Sequence, residues 1–270
     1  MRQFLRITFT ALFAFVLTAG MALGQNDASQ DNTAEVSQNG NKHSANIVQE
    51  GMNAEASVTQ KGYSHAAKIK QLNKGHRVHL TQKGTKNYAY IKQVGGKDQE
   101  VNINQKGNKH FAKTTHRGNG GKVFITQRGK SQHAKASQRG KAGVVIQDQR
   151  GSNHKAIVDK RGRSNDSEQF QRGKSHYSKI FQCGGCAPAD GLPGSLAKTV
   201  QNGSYHVAKI TQRRAGAKKA TIEQSGTKNG ASIGQFGMGH VSTVKQNGAN
   251  LSVSITQGMS GGHGGGGGPQ

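Results

Sequence analysis

The 270-residue sequence has no tryptophan, three prolines and two cysteines, and it is poor in apolar residues. Hydrophobic residues account for 31% of the chain and glycine fills 39 positions, so a large core of the ordinary globular kind is not expected. Three prolines also exclude a collagen-like triple helix. Order in this chain must therefore come from another arrangement.

Acidic residues are scarce as well, with 13 Asp and Glu against 38 Lys and Arg. They show no repeated pairing, which argues against the carboxylate pairs of polysaccharide-cleaving β-helices and against a calcium-binding β-roll. Aromatic residues, at 5%, are too few for the stacking platform of a dedicated nucleic-acid reader. We predict a protein that is not an enzyme and uses no cofactor. Its charge either binds polyanions or merely keeps the chain soluble.

The N-terminal residues 1–24 have the pattern of a secretory signal peptide. Arg2 and Arg6 precede an apolar run, and Ala22-Leu23-Gly24 offers a small-residue cleavage site. The alternative is an N-terminal anchor, which the shortness of the run disfavours. We expect a secreted, extracellular protein that begins near Gln25 and has no membrane span after cleavage.

An eleven-residue repeat occupies most of the remaining chain. Each unit has a glutamine slot, often followed by glycine at plus two, His or Asn at plus five, Ala or Val at plus seven and Ile or Val at plus nine. The slot recurs from Gln38 to Gln182, with His116 and Lys160 as exceptions, and from Gln201 to Gln257.

The odd period predicts one strand and one turn per unit. Because side chains alternate faces along a strand, a continuous strand would turn successive glutamines to opposite sides. A glycine turn with positive φ resets this phase. Two kinds of unit alternate, since Ala45, Ala67, Ala89, Ala112, Ala134 and Ala156 interleave with Val78, Val101, Val123 and Val145. We predict an all-β solenoid or arcade of about twenty units, two strands per layer, with cross-β stacking ~4.8 Å apart.

Inward glutamines favour such a stack, because identical amides one layer apart can donate to and accept from one another. The predicted fibre ladder comprises Gln49, Gln60, Gln82, Gln93, Gln105, Gln127, Gln138, Gln149, Gln171, Gln182, Gln224, Gln235 and Gln246.

The pattern Q-x-G-x2-N-x-A-x-I-x-Q-x-G resembles the curlin repeat of bacterial curli. It is clearest in QNGNKHSANIVQEG (38–51), QKGTKNYAYIKQVG (82–95) and QSGTKNGASIGQFG (224–237). This resemblance implies an amyloid fibre subunit of a biofilm matrix, exported through an outer-membrane pore with accessory factors and co-assembling with other curlin subunits. The alternative is a monomeric cationic solenoid adhesin, but neither end of the repeat region carries an evident cap.

Histidine in the plus-five slot departs from the curlin pattern. Eight histidines are expected to face inward: His43, His65, His76, His110, His154, His176, His206 and His240. A neutral hydrogen-bonded ladder is favoured over a metal site, and such a ladder predicts slower assembly at acidic pH.

Basic residues at plus one predict columns of like charge. The candidate polyanion-binding residues are Lys61, Lys83, Lys106, Arg117, Arg128, Arg139, Arg150, Arg161 and Arg172. Their expected partners are anionic polysaccharide, lipopolysaccharide or extracellular DNA. The alternative is that these charges only slow aggregation during export.

The repeat is interrupted by CGGCAPADGLPGS, residues 183–195, in which Cys183 and Cys186 are predicted to form a disulfide or an intermolecular link. The expected organisation is a signal peptide (1–24), a flexible leader (25–37), a repeat stack (38–182), a loop (183–196), a second stack (197–258) and a glycine-rich tail (259–270). The loop either bulges from one edge or separates two stacks.

Overall fold

Twenty-one strands alternate between two parallel sheets, which form the two walls of a β-solenoid. The computed structural model describes residues 21–24, 31–184, 194–213 and 216–258. Each strand pairs with the strand two places before it and the strand two places after it, so each layer contains two strands. The predicted all-β solenoid with two strands per layer is confirmed.

We call the two walls the odd sheet and the even sheet. The odd sheet has eleven strands: β1 (Met21–Gly24), β3 (Ser44–Glu50), β5 (Ala66–Lys74), β7 (Tyr88–Lys97), β9 (Phe111–Arg117), β11 (His133–Arg139), β13 (Lys155–Gly162), β15 (Tyr177–Gly184), β17 (Val207–Arg213), β19 (Gly230–Phe236) and β21 (Ser252–Gln257).

The even sheet has ten strands: β2 (Thr33–Asn41), β4 (Glu55–Tyr63), β6 (Arg77–Thr85), β8 (Glu100–Asn108), β10 (Lys122–Lys130), β12 (Val144–Ser152), β14 (Asp166–Lys174), β16 (Leu196–Ser204), β18 (Lys219–Thr227) and β20 (Val241–Ala249).

The strands pair in register, so that equivalent repeat positions lie above one another. Gln127 of β10 is opposite Gln105 and Gln149, and Gly129 is opposite Gly107 and Gly151. The alternating alanines stack in the odd sheet and the alternating valines stack in the even sheet. The second-order alternation in the sequence therefore distinguishes the two walls.

The core is a narrow apolar seam between the walls. The plus-seven and plus-nine side chains point inward from both sheets; Ala89, Ile91, Val101 and Ile103 have no exposed surface. The alternating burial along each strand is that of a sheet with one face packed and one face solvated. Burial of a small apolar side chain is repeated in every layer, and this repetition takes the place of a globular core.

The chain reverses direction at two left-handed positions in each unit. Gly129, at plus two, has φ of 123°, and a Cβ placed there would lie 2.1 Å from the carbonyl oxygen of Gly151. Strand pairing nevertheless continues through this glycine. A second residue, at plus four, completes the reversal, as in Ser131 with φ of 54°. The predicted glycine bend is present, but the repeat pattern did not predict that a non-glycine residue would take the second left-handed position.

The stack continues across the interruption. β14 pairs with β16 and β15 pairs with β17, so the strand pairing is the same on both sides of the interruption and the described strands form one stack. Cys183 lies within β15, and β2 begins at Thr33, inside the segment predicted as a leader. Most of the predicted signal peptide, residues 25–30 of that leader and the predicted tail lie outside the described residues. Met21–Gly24 pairs with β3 as β1.

Candidate functional site

A glutamine ladder runs the length of the even sheet. The side-chain amide of each glutamine donates from Nε2 to Oε1 of the glutamine one layer further along the chain, at 2.7 to 3.0 Å. The same nitrogen usually also donates to a backbone carbonyl of the opposite wall, such as that of Phe111 for Gln127. These bonds satisfy buried amides whose isolation would each cost about 1–3 kcal/mol. The ladder contains Gln38, Gln60, Gln82, Gln105, Gln127, Gln149, Gln171, Gln201, Gln224 and Gln246.

The corresponding ladder of the odd sheet is broken in the middle. Amide pairs join Gln49, Gln71 and Gln93 at one end, and Gln182, Gln212, Gln235 and Gln257 at the other. Between them lie His116, Gln138 and Lys160. Gln138 donates only to the backbone carbonyls of Ala142 and Gly143, so this predicted ladder residue makes no amide pair.

The break contains buried polar atoms with unmet hydrogen-bonding capacity. Neither ring nitrogen of His116 has a partner, and neither does Oε1 of Gln138. Burial lowers the pKa of His116 to about 3 and that of Lys160 to about 7. The Lys160 ammonium donates to the carbonyl of Val144 at 2.9 Å. Both side chains are therefore held in an environment that favours their neutral forms.

Histidine and asparagine make the same hydrogen bonds in the plus-five slot. Asn87 accepts the backbone N–H of His110 at Oδ1 and donates from Nδ2 to the carbonyl of Lys83. In the same way, His154 accepts the N–H of His176 at Nδ1 and is bonded through Nε2 to the carbonyl of Arg150. Only the neutral tautomer with its proton on Nε2 satisfies both partners.

The histidine rings also stack along the corner. The rings of His154 and His176 lie 4.9 Å apart and those of His176 and His206 lie 5.0 Å apart, with nearly parallel planes. Burial is the largest cause that lowers the pKa of His176, which falls to about 4. Seven of the eight predicted inward histidines are buried, and His240 is half-buried.

The basic residues at plus one form two straight columns. Lys61, Lys83, Lys106, Arg128, Arg150 and Arg172 are register partners in the even sheet, and Arg117, Arg139 and Arg161 are register partners in the odd sheet. All are exposed. The even column begins and ends with the uncharged residues Asn39 and Asn247.

Acidic residues lie mainly on the even sheet, where they compensate the positive charge. Within the described strands, seven of them are in the even sheet, and Glu50 and Asp159 are in the odd sheet. Several even-sheet acids pair with neighbouring cations, as in Lys122 with Glu100 at 3.1 Å. The odd sheet instead carries a further basic column at plus eight, in which Ile157 separates the register pair Lys113 and Lys135 from the register pair Lys179 and Lys209.

Sequence reasoning missed these four lysines. A signal was available, because each follows an Ala or Ser at plus seven, whereas among the even-sheet strands only Lys198 is a lysine at plus eight. When all units are compared together, the plus-eight position shows a weaker preference for lysine, because the lysine column is present in the odd sheet only.

The metal site weighed for the inward histidines and the disulfide predicted for Cys183 and Cys186 are the remaining expectations. Within the described ranges, no three His, Cys, Asp or Glu side chains come together as a metal site, and no helix has the length and hydropathy of a membrane span. Cys183 is half-buried in β15, while Cys186 lies outside the described residues, so their disulfide remains a prediction.

The repeats match a known family. Residues 30–62, 77–107 and 219–248 each match the model of the curlin associated repeat, which confirms the resemblance seen in the sequence. None of the curated proteins matches the chain.

Proposed function

Starting from a chain that carries curlin associated repeats, we propose that it is a secreted structural subunit which assembles head to tail into curli-like amyloid fibres. Such fibres would serve surface adhesion and cell aggregation in a biofilm matrix. Export through an outer-membrane pore, accessory factors and co-assembly with other curlin subunits, as bulk or nucleating component, belong to the same proposal.

The observation that carries this proposal is the open edge at each end of the stack. In the described residues, β2 and β20 each have a neighbour on one side only. Removal of the predicted signal peptide takes β1 away and opens the edge of β3 as well. Unpaired strand edges bind further strands, and unlike ends that match each other produce a filament.

The two ends match in side-chain pattern. Placing β20 against β2 of a second copy, in the register that β18 keeps with β20, brings Gln246 onto Gln38 and Val244 onto Val36. The amide of Gln246, which donates only to a backbone carbonyl within the chain, then faces the acceptor oxygen of the next Gln38. Asn247 faces Asn39, so the joint brings no like charges together.

The last layer also leaves apolar side chains uncovered. Val253, at plus seven, is 37% exposed, whereas its register partner Ala231, one layer further in, is 5% exposed. Stacking of a second copy would cover part of this surface, and fully burying a valine or leucine side chain contributes about 1.5–3 kcal/mol. The last layer of the described stack therefore favours association with another copy.

Assembly of the chain from residue 25 onward tests the proposal. We expect thioflavin-positive fibres that grow after a lag and give a meridional reflection near ~4.8 Å. Electron microscopy should show unbranched filaments, and fragments of them should remove the lag. A β-rich particle that stays monomeric at every concentration would reject polymerisation.

That second outcome would favour an adhesin that works as a single solenoid. The exposed basic columns support this candidate, because they concentrate positive charge without requiring a fibre. Lipopolysaccharide, anionic polysaccharide and extracellular DNA are proposed partners of either form. Sedimentation of the chain alone distinguishes the two forms before any polyanion is added.

A further inference from the structure

We propose that the outer face of the odd sheet between β9 and β17 is a groove for a linear acidic polysaccharide with one carboxylate per sugar. This rests on the proposed function, since such polymers are met outside the cell. The groove is distinct from the plus-one column of the even sheet.

Two columns of cations form the rims of the groove, and each is interrupted once, the plus-eight column by Ile157 and the plus-one column by Cys183. One rim is the plus-eight column, with Lys113 on β9 and Lys209 on β17; the other is the plus-one column, with Arg117 and Arg213 on the same two strands. Residues four apart along a strand are separated by about 13 Å, which sets the distance between the rims. Every layer supplies at least one cation; the eight are Lys113, Lys135, Lys179, Lys209, Arg117, Arg139, Arg161 and Arg213.

The floor between the rims is open, and it is polar in four of its five layers, with Phe181 in the fifth. Thr115, Ser137 and Thr211 place hydroxyl groups along it, and a cavity of about 840 Å³ lies over this region. Asp159 is the one acidic side chain of these five strands, and its carboxylate lies 3.4 Å from the Arg161 guanidinium. Its charge is therefore largely compensated within the groove.

Phe181 fixes the cations where one rim is interrupted by Cys183. The guanidinium groups of Arg161 and Arg213 lie 5.7 and 5.8 Å from the centre of its ring. Cation–π contacts of this kind orient the two groups from either side. The interrupted layer is thereby flanked by positive charge.

The spacing of the cations along each column favours a ligand with regularly spaced negative charges. Neighbouring strands lie ~4.8 Å apart, close to the length of one extended sugar residue, so a polyuronate in the groove meets a new layer with each carboxylate. The floor hydroxyls can bond to sugar hydroxyls on the way. A flexible chain with sparser charges would leave layers unpaired.

Duplex DNA fits the same groove poorly. Its phosphates follow a helix, with one charge per ~1.7 Å of axis, so a straight groove of five layers meets few of them. Single strands usually require free aromatic faces. Here Tyr177 already lies under the Lys155 ammonium at 5.8 Å, and Phe181 lies between two guanidinium groups.

Binding of labelled polygalacturonate to the full mature chain tests the inference. The groove variant is Lys113→Gln, Lys135→Gln, Lys179→Gln and Lys209→Gln. The matched control is Lys86→Gln, Lys109→Gln, Lys130→Gln and Lys141→Gln, which removes the same charge from exposed positions outside the basic columns. We expect the groove variant to weaken binding at least tenfold and to flatten its salt dependence. The control should change the affinity less than threefold.

Equal losses in the two variants would overturn the groove, because binding would then follow net charge alone. Displacement of polygalacturonate by duplex DNA at lower charge concentration would overturn the choice of ligand. The groove lies within one chain, so binding is measured by fluorescence anisotropy whether or not fibres form. Thioflavin and electron microscopy on the same samples report separately on the proposed assembly.

Discussion

A neutral imidazole takes the place of asparagine in this solenoid because it has one acceptor and one donor at suitable positions. At His154 and His176 the acceptor nitrogen receives a backbone N–H of the next layer, and the other nitrogen bonds to a carbonyl four residues earlier. Protonation would add a hydrogen to Nδ1 and oppose the N–H that it now accepts. The equivalence with asparagine therefore holds only while the ring is uncharged.

This equivalence predicts a pH dependence with a defined sign. Burial lowers the pKa of folded His176 to about 4, below the value of about 6.5 for an unfolded histidine. The unfolded chain therefore takes up the proton first. The stabilisation is complete above pH ~6.5 and is lost as the pH falls towards 4. We expect assembly to be several-fold slower at pH 5 than at pH 7.5, measured as the thioflavin lag time.

The triple variant His154→Asn, His176→Asn and His206→Asn should remove most of this dependence, since asparagine keeps both hydrogen bonds without titrating. His79→Asn is the control, because His79 is exposed on the outer face of β6. A triple variant that is as acid-sensitive as the parent chain would contradict the inward, neutral histidines.

At the scale of the single element, the broken ladder of the odd sheet is a local weakness. Lys160 replaces a glutamine beside Gln138 and Gln182, and burial lowers its pKa to about 7. An unfolded lysine titrates near 10.4, so the unfolded chain binds the proton more tightly. The contribution of the neutral Lys160 side chain to stability is therefore complete above pH ~10.4, and it is lost as the pH falls to about 7.

Lys160→Gln should therefore stabilise the assembled protein by about 1–3 kcal/mol at pH 7.5, since it removes a buried amine and restores an amide. The guanidinium midpoint for dissolution reports this change. Lys155→Gln removes the same charge from an exposed position of the same strand and should have little effect. A loss of stability in Lys160→Gln would show that the ammonium has a partner that the amide cannot replace.

The odd and even sheets also show what the sequence could and could not predict. The eleven-residue period, the alternation of faces along a strand and the alternating Ala and Val were enough to predict the solenoid and its two walls. Each repeat position recurs many times, so its pattern stands out from the variation between single units. The left-handed residues at plus four were not predictable, since Lys42, Asn53 and Ala142 share no side-chain property. The lysine column of the odd sheet was missed because it appears only when alternate units are read separately.

Polar residues inside the middle layers were also unforeseen. Gln147 donates to Gln169, which donates to Ser178, and these side chains stand where other units have an apolar residue. In the sequence, a single polar residue at an apolar position looks like a departure from the repeat. Whether it can be buried depends on a hydrogen-bonding partner in the next layer, and that partner is known only once the register of the strands is known.

For the whole molecule, the joint between copies is the feature that decides between a fibre and a particle. Leu251 occupies the plus-five slot of the last layer and is 40% exposed. In a head-to-tail joint it would lie against His43 of the next copy. Leu251→Lys should leave the single chain folded but slow fibre elongation at least tenfold, because the joint would bury an unpaired charge.

Met238→Lys is the matched control, since Met238 lies in the turn between β19 and β20 and is 68% exposed. Elongation from preformed seeds, followed by thioflavin, measures both variants. Equal elongation rates for Leu251→Lys and the parent chain would place the joint elsewhere.

The interruption of the repeat between β15 and β16 has a practical consequence. Strand pairing is the same before and after residues 185–193, so the stack tolerates extra residues between these two strands. A foreign peptide inserted into that segment would be displayed once per subunit along the length of a filament. The segment is thus a natural insertion point for tagging or functionalising such a material.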